Sequence, residues 1–106
     1  MTDKIIVFVT CESEAQAETI AQTVVVEKLA ACVNVLAGVR SCYMWEGKLK
    51  WSDEVLLLIK TTRGRFDQIQ DRVKALHSYQ VPEIVGLTID DAFDKYIAWI
   101  DQCVGG

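Results

Sequence analysis

Few side chains in this sequence could do chemistry, and they are scattered. There is one histidine, His77, and there are four cysteines, Cys11, Cys32, Cys42 and Cys103. No two cysteines form a CxxC pair, so zinc-ribbon and thioredoxin-type motifs are absent. A soft or borderline metal would want histidine together with thiolate. The candidates are His77 and Cys11, which ends an apolar run beside Glu12 and Glu14. The plainer role for His77 is a helix C-terminus, where the dipole favours it and its ring can make a structural hydrogen bond. The plainer role for the cysteines is as small buried hydrophobes. No serine or cysteine shares a motif with the histidine, so a nucleophile–base pair is lacking and catalysis is not expected.

Lys60 closes the run VLLLIK. Its stem is expected to be buried, and a buried ammonium needs a partner. Glu83, at the start of the next expected strand, is the candidate, and the simplest outcome is a structural ion pair. Glu12, Glu14 and Glu18 read as a solvated helix start, where acids are favourable.

The elements that must position these groups can be read from patterning. Lys4 to Cys11 is a strand. Ser13 is an N-cap with Gln16 completing a capping-box pattern, and the helix runs to about Leu29. Leu29 to Thr61 reads as one long β-hairpin around Glu46-Gly47-Lys48. Its first arm, Ala31 to Trp45, would be roughly 50 Å long at about 3.3 Å per residue. A compact domain of this size is only roughly 33 Å across, so the hairpin should overhang its own domain and need a partner. Trp45 and Trp51 flank the turn and are expected to make cross-strand or intersubunit aromatic contacts. Arg63 to His77 is a second helix with Phe66, Ile69, Val73 and Leu76 on one stripe. Pro82 breaks it, and Glu83 to Ile89 is a fourth strand. Ala92 to Gln102 is a short third helix, with Tyr96 and Trp99 packing on the sheet.

This order predicts an α+β fold, a ferredoxin-like β-α-β-β-α-β sandwich with an extra C-terminal helix, as a single domain over residues 1–106. The strands IIVFV, VLLLI and EIVGLTI are apolar at consecutive positions, whereas a sheet with one wet face should alternate. Two helices cover one face. The other face needs cover, and a second copy of the chain supplies it. The hydrophobic content of 51% points the same way. Net charge is −4 with no basic run, which excludes a nucleic-acid footprint. No apolar run is long enough to span a bilayer. The N-terminus enters a strand at once, leaving no room for a signal peptide, so a cytoplasmic location is expected.

The segments KLAACVNVLAGVRSCYMWEGKL, EVLLLIKTT and HSYQVPEIVGL, in this order and spacing, resemble the CutA family of divalent-cation tolerance proteins, and the match covers nearly the whole chain. The resemblance implies a tight homotrimer of ferredoxin-like subunits, related in architecture to PII signalling proteins. It also implies a role in metal tolerance, with copper or another divalent cation as the bound species. In the family, residues corresponding to Cys32, Lys60, Tyr79, Pro82 and Glu83 cluster around a cleft between subunits. There, Lys60 would supply charge, Tyr79 and Trp45 aromatic walls, and Cys32 part of the lining. In members assigned a copper site, a first-strand Cys and two adjacent His are the ligands. The corresponding positions here are Val9, Leu76 and His77, so one of the three is retained. The chain also has Ala37 and Ser78 where the family often has proline, which leaves Pro82 alone and loosens two turns.

The rival is a PII-like sensor of a small anionic metabolite or nucleotide in the intersubunit cleft, an analogy of fold. Acylphosphatases share the topology but need a phosphate loop after the first strand. Here that position reads CESEAQ, which is acidic. Copper chaperones of this topology carry a CxxC there, and this chain does not.

Overall fold

The computed structural model describes residues 2–105. Strand β1 (Lys4–Cys11) leads into helix α1 (Glu14–Val26), then β2 (Cys32–Trp45) and β3 (Lys48–Thr62). A short 3-10 turn (Arg63–Arg65) opens α2 (Phe66–Leu76), followed by β4 (Ile84–Thr88) and α3 (Asp94–Val104). The four strands form one antiparallel sheet in the order β2-β3-β1-β4. It is a small α+β fold with the expected element order.

Helices α1 and α2 lie on one face of the sheet. Along β3, Val55, Leu57, Ile59 and Thr61 are buried, and the residues between them are not. Together with Ile5, Val7, Val9 and Cys11 of β1 they pack against Ala17, Ile20 and Val24 of α1 and Ile69 and Val73 of α2. Gly86 belongs to this face. A Cβ there would come within 3.3 Å of the Phe66 ring, so the missing side chain is what lets α2 sit down on β4.

The register puts Phe8 opposite Leu58 and Val85, Ile6 opposite Leu87, and Leu36 opposite Leu56. These apolar side chains share the second face and stay partly or largely exposed; Leu87 is 51% exposed. Helix α3 covers only one end of the molecule. It packs Ile100 and Val104 on Ala31, with Tyr96 and Cys103 beside them. Lys4, buried, bonds Asp3 and reaches Asp101 of α3 at 2.9 Å. Arg65 donates from Nε and Nη2 to the Val104 carbonyl at 3.2 and 2.7 Å. Tyr96 packs as expected, but Trp99, with its ring 5.6 Å from that of Tyr96, is 40% exposed.

The hairpin overhangs as predicted, and the molecule measures 45 × 25 × 23 Å. β1 pairs with β3 only from Val55 to Thr62. Beyond that point Val39–Trp45 and Lys48–Glu54 pair only with each other. A two-stranded ribbon is marginal alone. The turn is Glu46-Gly47, with φ of 52° and 78°, the left-handed pair a two-residue hairpin turn requires. Where the ribbon leaves the sheet, the register shifts between Leu36 and Val39, with Gly38 at φ 82°. Ala37, at the first of the missing prolines, is therefore part of a β-bulge.

Several boundaries differ from expectation: β4 is one residue shorter at each end than Glu83–Ile89, and the second helix is α-helical only over Phe66–Leu76, since Arg63–Arg65 is a 3-10 turn and His77 is extended. Helix α1 stops at Val26, three residues early, because Lys28 turns left-handed at φ 61°. Leu29 N–H then bonds the Val24 carbonyl at 2.9 Å and Lys28 N–H the Val25 carbonyl at 3.0 Å. This is a Schellman cap with lysine in the place glycine usually takes. At the other end Ser13 accepts from Gln16 N–H at 3.1 Å, but Gln16 Oε1 is buried without a partner, so the reciprocal half of the capping box is not made. Helix α3 begins and ends two residues later than expected, at Asp94 and Val104.

Candidate functional site

The loop from His77 to Glu83 crosses the end of β1 and faces the base of the ribbon. Helix α2 ends at Leu76, and His77 leaves helical geometry at ψ 143°. Its ring is held from both sides. Nε2 lies 2.6 Å from the Thr10 carbonyl, and Nδ1 lies 3.0 Å from Tyr79 N–H. A carbonyl oxygen only accepts, so Nε2 carries the proton and Nδ1 accepts from Tyr79. The His77 and Tyr79 rings lie 4.7 Å apart. Tyr79 then reaches across to the ribbon, its hydroxyl donating to Glu54 Oε2 at 2.8 Å.

Glu54 sits at the bulge, opposite Val39, where β3 parts from β1. It is only 8% exposed. Its charge is felt by its neighbours. Burial pushes the Cys11 thiol up to about 11, with the Glu54 carboxylate adding to the effect. Burial also raises Tyr79 well above the ordinary phenol value, with its bond to Glu54 and that carboxylate's charge contributing further. Cys11 is fully buried and stays a neutral thiol at ordinary pH.

These groups border a cleft of about 970 Å³ between ribbon and loop. Tyr43, Trp45, Glu54, Tyr79 and Glu83 line it, with Lys50 further along the ribbon. Tyr43 and Ser52 are tied together across the strands at 2.7 Å. Of the residues assigned to a cleft from the sequence, Trp45, Tyr79 and Glu83 are brought together here, and Pro82 sits in the chain between two lining residues, Val81 and Glu83.

Cys32 and Lys60 are elsewhere. They face each other across β2 and β3, at the opposite end of the sheet from the ribbon. Lys60 bonds Asn34, not Glu83. The expected Lys60–Glu83 pair fails because β1 lies between β3 and β4, and Lys60 is opposite Ile6 whereas Glu83 precedes the Val9–Ile84 pair. Cys32 lies against Tyr96 of α3, whose phenol is raised by burial first and then by Cys32.

Glu54 is the residue that the sequence reading missed. The available signal was its place as the last acid before the run VLLLIK, where a strand enters the core.

The chain matches the family described as CutA1 divalent ion tolerance protein over residues 5–103. The chain belongs to the CutA1 family. It is 46% identical over 100 residues to the divalent-cation tolerance protein CutA of Thermus thermophilus, covering 94% of this chain and 97% of that protein. It is 42% identical over 96 residues to the chloroplastic protein CutA of Arabidopsis thaliana, covering 91% of this chain. It spans only 53% of that longer relative. The solved divalent cation tolerance protein of Thermus thermophilus superposes with a TM-score of 0.94 at 45% identity, covering 96% of this chain and 99% of that one. The CutA1 family is named for ion tolerance and not for a reaction. Among the described residues no helix is long and apolar enough to cross a membrane.

The donor set expected for a metal fits poorly within one CutA1 chain. Both nitrogens of His77 are engaged by backbone groups, and Cys11 is buried and protonated. Among the described residues, no three His, Cys, Asp or Glu side chains gather closely enough to hold a metal ion. A metal at His77 would have to displace either the Thr10 carbonyl or the Tyr79 amide.

Proposed function

We propose that this chain forms a ferredoxin-like homotrimer in the cytoplasm that takes part in divalent-cation tolerance by binding copper or another divalent cation, without catalysis. The observation that carries the cation reading is the match of residues 5–103 to the divalent ion tolerance family. The self-association reading rests on geometry. The ribbon overhangs the sheet, with Met44, Leu49 and Trp51 at 63%, 64% and 58% exposure, and the second sheet face carries apolar side chains that helix α3 covers at one end only. Apolar area of this kind gains free energy when another copy covers it. Because each chain supplies so few donors, the cation site is one that copies complete together, with the Cys11–His77 end of β1 as one contributor.

The PII-like alternative, an anion sensor, draws no support from the cleft. Lys60, the cation assigned to it, lies elsewhere, and Glu54 and Glu83 line the space. The test is calorimetric titration of metal-free, reduced protein with Cu²⁺ and Zn²⁺, beside His77→Ala and with sedimentation equilibrium on the same samples. Micromolar or tighter binding by a trimer is the expected result. Absence of binding by both metals refutes the cation reading. A loss of tenfold or more in His77→Ala assigns that ring to the site, and unchanged affinity removes it.

A further inference from the structure

Helix α2 ends without an ordinary stop signal. Its C-cap is His77, not glycine, and the one proline of the chain, Pro82, comes five residues later. His77 N–H still makes a helical bond, to the Val73 carbonyl at 2.8 Å, but its ψ of 143° has already left the helix. A proline next in sequence would impose that extended backbone by steric clash. Ser78 imposes no such restriction, so another group must hold the turn.

The His77 ring holds it. Nδ1 accepts from Tyr79 N–H at 3.0 Å, which closes a side-chain turn like those made by Asn and Asp. Nε2–H donates to the Thr10 carbonyl at 2.6 Å, which moors the ring to the end of β1. The two bonds need an acceptor and a donor at a fixed separation, and neutral imidazole supplies both. The ring also packs against that of Tyr79, 4.7 Å away. Tyr79 then carries the connection across to β3, its hydroxyl donating to Glu54 Oε2 at 2.8 Å. Thr10, His77, Tyr79 and Glu54 thus form one bracket from β1 through the loop to the base of the ribbon. All four belong to one chain, so the bracket does not depend on what covers the ribbon or the second sheet face.

We infer that His77 is a positioning residue that serves in place of a proline at position 78: its ring ends α2 and aims Tyr79 at Glu54. His77 acts on the Glu54 carboxylate only through Tyr79. The bracket needs no bound ion, so it stands or falls apart from the cation reading above.

The experiment is a mutant cycle read by urea unfolding of the full chain, metal-free and at one fixed protein concentration. The effect of Tyr79→Phe on the folding equilibrium reports whether the Tyr79–Glu54 bond is made. It is measured with His77 present, in His77→Ala, and in His77→Ala combined with Ser78→Pro. A proline is compatible with the fold there. His77 already has the φ of −84° and ψ of 143° that suit a residue before proline, and among the described residues Ser78 N–H bonds no backbone carbonyl outside the regular elements. With His77 present, Tyr79→Phe should lower the folding constant roughly thirtyfold. In His77→Ala the effect should shrink to less than about threefold, because Tyr79 is no longer aimed, and adding Ser78→Pro should return it to about tenfold or more. An undiminished Tyr79→Phe effect in His77→Ala overturns the inference, because Tyr79 would then find Glu54 without the ring. Failure of Ser78→Pro to restore the effect also overturns it, because the ring would then do something that a proline does not. Should His77→Ala fail to fold, the same cycle is run on His77→Gln, which keeps a donor for Thr10 and removes the acceptor for Tyr79 N–H. There too the Tyr79→Phe effect should shrink, and an undiminished one overturns the inference.

Discussion

Tyr79→Phe removes one oxygen and leaves the ring that packs on His77. The lost bond is the 2.8 Å hydroxyl contact to Glu54 Oε2, made to a carboxylate that is itself buried. Hydrogen bonds to charged groups contribute about 1.5–3 kcal/mol, and the carboxylate is left with no other partner among the described residues, so a loss of about 2 kcal/mol is expected. At a urea slope of about 1–2 kcal/mol per molar, the midpoint should fall by roughly 1–2 M. The assay is urea unfolding at fixed protein concentration, since assembly makes stability concentration-dependent. Two controls isolate the cause. In a Glu54→Gln background the acceptor is neutral, so the same Tyr79→Phe change should cost only about 1 kcal/mol. The pH dependence supplies the second. Tyr79 is raised in the fold, chiefly by burial, so its contribution is present below the ordinary phenol value of 10.0 and is lost as pH rises beyond it. The gap between wild type and Tyr79→Phe should stay level from neutral pH to about 9 and close above about 10. A cost below about 0.5 kcal/mol, equal in both backgrounds, would refute the charge-assisted bond.

Other outcomes follow from the same geometry. Lys28→Gly relieves a left-handed lysine at φ 61°, and the gain of up to about 1 kcal/mol should appear as a higher unfolding midpoint; destabilisation would show that Lys28 does more than cap α1. Leu87→Asp, on the exposed second face, should leave a folded chain that fails to assemble, read by sedimentation together with circular dichroism; an intact oligomer would sink the covered-face account. Leu57→Asp sits instead in the core beneath the helices and should abolish folding; a well-folded monomer would contradict the packing described. The Cys11 thiol, raised to about 11 by burial, contributes stability below the ordinary thiol value that is lost as pH rises through about 11. Cys11→Ala should therefore show a shallower alkaline decline between pH 9.0 and about 11, and an unchanged slope would remove Cys11 from the linkage.

The sequence by itself determined the elements and their consequences for shape. Apolar runs bounded by Gly47, Pro82 and the Ser13 cap marked strands and helices, and their order identified the fold class and the family. The length of the Ala31–Trp45 arm alone required an overhang, because strand rise is fixed and domain size is nearly so. Consecutive apolar residues in VLLLI required two covered faces, and the structure shows α1 and α2 over one of them and α3 over only one end of the other.

What the sequence left open was which side chains meet. Lys60 and Glu83 looked like partners, being at the adjoining ends of strands three and four, but the sheet order inserts β1 between them. His77 read either as a helix-end residue with a structural hydrogen bond or as a ligand, and the path of the loop brings Thr10 and Tyr79 to its two nitrogens. Glu54 was not singled out in the sequence; the bulge at Gly38 and the reach of Tyr79 close around it. Local pattern follows from covalent geometry and from which side chains avoid water, both properties of neighbouring residues. Contact between Tyr79 and Glu54, 25 residues apart, depends on strand order and a bulge in another strand, and only the tertiary structure decides those.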